Sequence, residues 1–140
     1  MSVMVVDASV AAKWFFQEAY TADAVRVLDE RHRLHAPDLL PIETASVVCK
    51  RVRRGEISED EGRRVRTALA QFPIRLHDSL TLLDPAFEMA ARTGCSIYDG
   101  LYVSLAALLG GRMVTADRRL CDRLAKGPFA EAVLWVGDVA

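Results

Sequence analysis

Long apolar runs are missing from this 140-residue chain. Its hydrophobic residues come in short blocks divided by charge, none near the roughly eighteen residues that cross a bilayer, so a soluble protein with no membrane partner is expected. The first residues lack the basic stretch, apolar middle and small-residue cleavage site of a secretory leader, which makes the cytoplasm the expected location. Cysteine is scarce. Cys49, Cys95 and Cys121 are odd in number and widely spaced, which argues against a disulfide framework or a thiolate zinc site. Net charge is nearly absent, with 18 Lys and Arg against 19 Asp and Glu. No single-sign field covers such a surface, and a polyanion would have to be met by local basic clusters. The glycine patterns of dinucleotide and phosphate loops are absent too, because Gly110-Gly111 closes an apolar helical stretch instead of opening one.

What is there is a regular alternation. With no repeat, low-complexity tract or linker, and with 51% of residues hydrophobic, residues 1–140 read as one domain with a sizeable core. Short strand-like runs alternate with longer helical patterns, the mark of an α/β fold around a mostly parallel sheet of four or five strands. Residues 3–6 (VMVV) are too few for a helix and form a buried strand, followed by a helix through Val10, Ala11, Trp14 and Phe15. Helices are expected over 21–31, with Ala24, Val25 and Leu28 inward, and from Pro41 to just before Gly55, with Ile42, Ala45, Val48 and Val52 inward. A further helix starts at Ser58 and ends before Pro73. Brief strands are expected at 34–36, 74–77 and 113–115. The stretch SIYDGLYVSLAALLGG predicts a helix apolar on almost every side whose one charge is Asp99.

Asp7 and Asp117 are twins: each follows a short apolar strand and precedes a helix. In an open parallel sheet such positions lie together on the rim beyond the carboxyl ends of the strands, where ligands bind. Glu43 and Asp99 lie in the first turns of helices and can face the same rim. Taken singly, Asp7 and Asp117 are better explained as caps and Glu43 as a complement to the helix dipole, whereas Asp99 stands in a neighbourhood more apolar than a cap requires. Four together would repel one another unless cations offset them, and hard divalent ions such as magnesium or manganese prefer carboxylate oxygen.

The DAS at 7–9, IETASVV around Glu43, SIYDGLYVSLA and VTADRRL resemble, in order and spacing, the acidic motifs of PIN-domain nucleases, particularly VapC-like toxins. The resemblance covers nearly the whole chain. It implies a three-layer PIN-like sandwich in which Asp7, Glu43, Asp99 and Asp117 are catalytic and hold one or two Mg2+ or Mn2+ ions, with Ser9 and Thr115 supporting the cluster. It further implies hydrolysis of RNA phosphodiester bonds by water, a cognate antitoxin and a homodimer. Lys13, Arg118 and Arg119 are the candidate RNA contacts, beside a second basic cluster at Lys50, Arg51, Arg53 and Arg54. The competing reading is a catalytically inactive domain of the same fold that binds RNA or protein.

Overall fold

The opening valine run becomes the central strand of the sheet. The computed structural model describes residues 2–140, with strands β1 (Ser2–Val6), β2 (His32–Pro37), β3 (Ile74–His77), β4 (Arg112–Thr115) and β5 (Val133–Trp135). They form one sheet in the order β3-β2-β1-β4-β5, and every neighbouring pair is parallel. Met4, Val5 and Val6 are all buried, because helices cover both faces of a parallel sheet and leave no solvent side to call for alternation. Among the described residues the helices are α1 (Ala8–Ala11), α2 (Thr21–Arg26), α3 (Leu40–Arg53), α4 (Glu59–Leu69), α5 (Leu83–Thr93), α6 (Ile97–Leu109) and α7 (Arg118–Leu124). The expected α/β sandwich is therefore present, with a sheet that is wholly parallel.

The differences from expectation are local and have causes. The helix expected over 21–31 stops at Arg26, since the Asp29 carboxylate accepts from the Arg31 N–H at 2.9 Å and turns the chain into β2. The segment after α1 continues only as a 3-10 turn, Ala12–Trp14, and the Trp14 indole donates to the Ala24 carbonyl at 2.9 Å. In α3 the inward row is Leu40, Thr44 and Val48, and Ile42 is 68% exposed. The helix is rotated from the phase that its apolar residues predict because polar Thr44 belongs to the buried row. In α6 residues 100–106 are buried as expected, but Tyr98 and Leu108 at its ends face outward.

Three caps are legible in the residue types. Ser58 accepts from the Glu61 N–H while the Glu61 carboxylate accepts from the Ser58 N–H, which closes a reciprocal box at the start of α4. Gly94 and Gly110 end α5 and α6 in left-handed conformations that glycine adopts at little cost.

Topology fixes the functional rim. From β1 the chain steps outward to β2 and β3, then returns to the other side of β1 to lay down β4 and β5. The reversal between β1 and β4 opens a crevice at the carboxyl ends of those two strands. At the opposite edge, His35 of β2 and His77 of β3 share a ring nitrogen contact of 2.9 Å, one ring donating and the other accepting. Burial holds both imidazoles below the usual histidine range; beside His35 the second ring, Arg75 and Arg33 add to the effect, and beside His77 Arg75 does.

Because the folded values are depressed, the stability from this pair is complete above about pH 6.5, the ordinary histidine value, and is lost as the pH falls through the folded values. The urea midpoint of the wild type should thus exceed that of His35→Gln at pH 7.5, and the gap should narrow towards pH 5. A gap independent of pH would refute the pairing.

Candidate functional site

Asp7 is the first residue after β1, and its carboxylate is buried. Both oxygens are engaged. Oδ1 accepts from the Ser9 hydroxyl at 2.6 Å and from the Val10 N–H at 3.1 Å, the latter bond capping α1. Oδ2 accepts from the Thr115 hydroxyl at 2.6 Å. Each hydroxyl is oriented in turn by the loop after β4: the Ala116 N–H donates to Ser9 Oγ at 3.0 Å, and the Asp117 N–H donates to Thr115 Oγ1 at 3.1 Å. The register explains the reach, since Val6 pairs with Val114 and the next residue on each strand is Asp7 or Thr115. One carboxylate therefore joins the ends of the two strands that flank the crevice.

The other acids arrive by different routes. Asp117 caps α7, its carboxylate accepting from the Leu120 N–H at 3.2 Å. Asp99 lies in the first turn of α6, but the cap there is Ser96, whose hydroxyl accepts from the Asp99 N–H at 3.0 Å. The Asp99 carboxylate is thus spared the capping task. The next residue, Gly100, sets its depth: a Cβ there would lie 2.8 Å from the Ala86 carbonyl oxygen, so only glycine lets α6 approach α5 this closely. Glu43 projects from the first turn of α3 beside Tyr102, a loose approach in which the buried tyrosine hydroxyl has no well-formed hydrogen bond. Tyr102 was not singled out in the sequence, although it lies three residues after Asp99 and so shares that face of the helix.

The charges of these groups act on one another. Burial is the main force raising the Asp7 carboxyl to about 6, against the lowering effect of its three donors, and nearby Asp99 adds repulsion. Burial likewise pushes Glu43 up, with Asp99 contributing, and pushes Asp99 up, with Asp117 contributing and Arg123 opposing. Burial and the neighbouring Glu43, Asp7 and Asp99 charges keep the Tyr102 phenol neutral. Among the described residues no three acid, histidine or cysteine side chains converge into a ready-made cage. The donor chemistry nevertheless fits a hard divalent cation: the carboxylates have no cationic partner among themselves, and a cation would offset both their burial and the repulsion that adds to it.

The basic candidates are placed unequally. Lys13 is buried and paired with Glu18 at 2.9 Å. Glu18 also holds Arg51, whose guanidinium lies 4.1 Å from the centre of the Phe16 ring. Arg118 and Arg119 are exposed in the first turn of α7, immediately after Asp117. Arg123 of the same helix turns away to donate to the Gly94 carbonyl at 3.1 Å.

Residues 4–126 match the PIN domain family. Ribonuclease VapC3 of Pyrobaculum aerophilum is 34% identical over 122 residues, which are 86% of this chain and 93% of that protein. The crystal structure of PAE2754 from the same organism superposes with a TM-score of 0.72 at 22% identity, covering 97% of this chain and 85% of the other. A chain of a toxin-antitoxin complex from Klebsiella pneumoniae superposes with a TM-score of 0.62 at 12% identity, covering 94% of this chain and 95% of its own.

Asp7→Asn removes the buried charge while keeping an acceptor for Ser9 and Val10. Since the folded value lies near 6 and the ordinary one at 3.8, the ionised wild type loses stability as the pH rises between them. With chelator present at pH 8, the variant should be more stable in urea unfolding by up to about 3 kcal/mol, less what the amide loses opposite Thr115. The advantage should vanish near pH 4. A difference in stability between the two proteins that stays the same from pH 4 to pH 8 would contradict the burial argument.

Proposed function

The chain belongs to the PIN-domain family, and from that premise we propose that it is a metal-dependent endoribonuclease, the toxin of a toxin-antitoxin pair. The observation that carries the proposal is the buried Asp7, bracketed by two hydroxyls at the reversal of the sheet and coupled in charge to Asp99, which is coupled in turn to Glu43 and Asp117. Support comes also from the relative named as a ribonuclease and from the fold shared with a chain of a toxin-antitoxin complex.

On this reading Asp7, Glu43, Asp99 and Asp117 hold one or two ions of magnesium or manganese. Bound there, the metal supplies positive charge that acidifies the attacking water and offsets the charge developing on the phosphate. Ser9 and Thr115 fix the orientation of the Asp7 carboxylate, so that no reorientation is required when the substrate arrives. Tyr102 contributes a neutral donor beside Glu43. Histidine takes no part, for His35 and His77 are engaged with each other on β2 and β3, and His32 starts β2 at the end of the sheet away from the rim. Arg118 and Arg119 are placed to meet RNA phosphates, whereas Lys13 joins only if Glu18 releases it.

Two protein contacts belong to the same proposal. An antitoxin would restrain the nuclease, and a second copy of the chain would cover the apolar side chains that α3 and α5 leave outside, among them Ile42 and Phe87.

The test is cleavage of a panel of structured and single-stranded RNAs with manganese or chelator. Wild-type protein should cut with the metal only. Asp99→Asn should lose about a hundredfold or more, because loss of a direct ligand outweighs the 10–100-fold typical of an outer-shell partner, and its manganese affinity should fall in parallel. Full activity in Asp99→Asn would overturn the site. A wild type that binds RNA without cutting it, with an affinity indifferent to Asp99→Asn, would favour the inactive binding domain.

A further inference from the structure

An aromatic cluster stands beside the acidic crevice and has no part in holding the acids. Trp135 ends β5 and pairs in register with Thr115 of β4, so the indole leaves the sheet on the same face as the hydroxyl that grips Asp7. The Tyr20 ring meets it edge-on at 5.0 Å between centroids. The Arg118 guanidinium, one residue past Asp117, lies 5.0 Å from the indole centre. Neither Tyr20 nor Trp135 is buried, and Tyr20 is 48% exposed.

Three features show that the cluster is built rather than incidental. Tyr20 is the one non-glycine residue with a left-handed backbone among those described, at φ 66°. Glycine would hold that turn without strain, so the tyrosine is kept there against a local cost, the kind of outlier that marks functional positions. The turn is braced: the Thr21 hydroxyl donates to the Phe16 carbonyl at 3.2 Å and accepts from the Glu18 N–H at 3.0 Å. Gly137 leaves room for the indole, since a Cβ there would meet Trp135 Nε1 at 2.6 Å. Arg118 adds a fourth irregularity, a cation in the first turn of a helix, where the dipole disfavours it.

We propose that Tyr20, Trp135 and Arg118 form a platform that stacks an unpaired RNA base next to the bond to be cut, with the guanidinium meeting an adjoining phosphate. The exposed Tyr20 ring, backed by the half-buried indole and beside a cation, offers what single-stranded nucleic acid requires, and every base has a face to stack on it. The register with Thr115 joins this platform to the acid site, so the occupant is a flanking nucleotide of the same strand. The inference rests on the ribonuclease reading given above.

The experiment combines photocrosslinking with kinetics. RNA extracted from cells and substituted with thiouridine is irradiated with Asp99→Asn protein, and the crosslinked peptides are mapped by mass spectrometry. Crosslinks should fall on Tyr20 or Trp135. On an RNA that the wild type cuts, Tyr20→Gly and Trp135→Leu should raise KM roughly tenfold, as one lost stacking contact does, and leave kcat within about twofold, while Trp135→Phe should largely restore KM. Tyr20→Gly relieves backbone strain, so its thermal unfolding should be unchanged or higher, which separates lost stacking from lost folding. If the wild type cuts RNA while crosslinks avoid both rings and Tyr20→Gly keeps its KM, the platform is refuted and the ribonuclease reading stands. If the wild type neither cuts nor crosslinks to any RNA, the ribonuclease reading falls and the platform falls with it.

Discussion

The arrangement depends first on a carboxylate that is buried and kept. Asp7 has its oxygens filled by Ser9, Val10 and Thr115, yet burial still raises its carboxyl to about 6. Three donors would hold an exposed carboxylate well below its usual value; here desolvation outweighs them. Such a group is a poor choice for stability alone, since an apolar pair of similar shape would join β1 to β4 without an ionic cost. Its position makes sense if the charge is wanted at the crevice and the hydroxyls exist to aim it.

Much of the surrounding fold follows from meeting that demand. Parallel strands must bury both faces, which makes the valines of β1 contiguous and leaves Asp7 as the first residue free to turn towards the rim. The β4 loop has to return beside it in register, because Ser9 and Thr115 each take their own donor from the backbone at Ala116 and Asp117. Gly100 then brings α6 against α5, and Ser96 takes over the cap so that Asp99 need not serve as one. The caps are thus unequally divided: Asp7 and Asp117 cap helices while carrying charge at the rim, whereas Asp99 carries only the charge.

How much of this was legible varies with sequence distance. The twin strand-acid-helix segments at Asp7 and Asp117 are local patterns, and with them came the sheet class and the rim. The strand Ile74–His77 was bounded by Pro73 and emerged with those limits. The phase of α3 departs from its apolar periodicity because the buried row includes Thr44, a polar residue. Tyr102 carries a signal in its spacing from Asp99, but the many apolar neighbours in α6 mask it. The partnership of Lys13 with Glu18 depends on a turn that no periodicity describes. Tyr20 and Trp135 are separated by most of the chain, and β5 is only three residues long; their meeting is a product of topology, which single-sequence reading does not supply.

The locally unfavourable choices at the rim share one location. A buried carboxylate near Asp99, a left-handed tyrosine and an arginine in a first helical turn each oppose the rule that governs the rest of the chain, where glycine takes the tight left-handed turns and Ser58 with Glu61 makes a complete cap. Folding alone would replace Tyr20 by glycine, Asp7 by a neutral acceptor and Arg118 by an acid. Departures that cluster at one place are the pattern of a surface shaped by what binds it. Asp7 and Thr115 tie them together, because the same strand end that orients the carboxylate sets the register of Trp135, and through Trp135 the positions of Tyr20 and Arg118. Strand pairing therefore couples the group that would hold the charge with the groups that would hold the base, and a shift in the β4-β5 register would disturb binding without touching an acid.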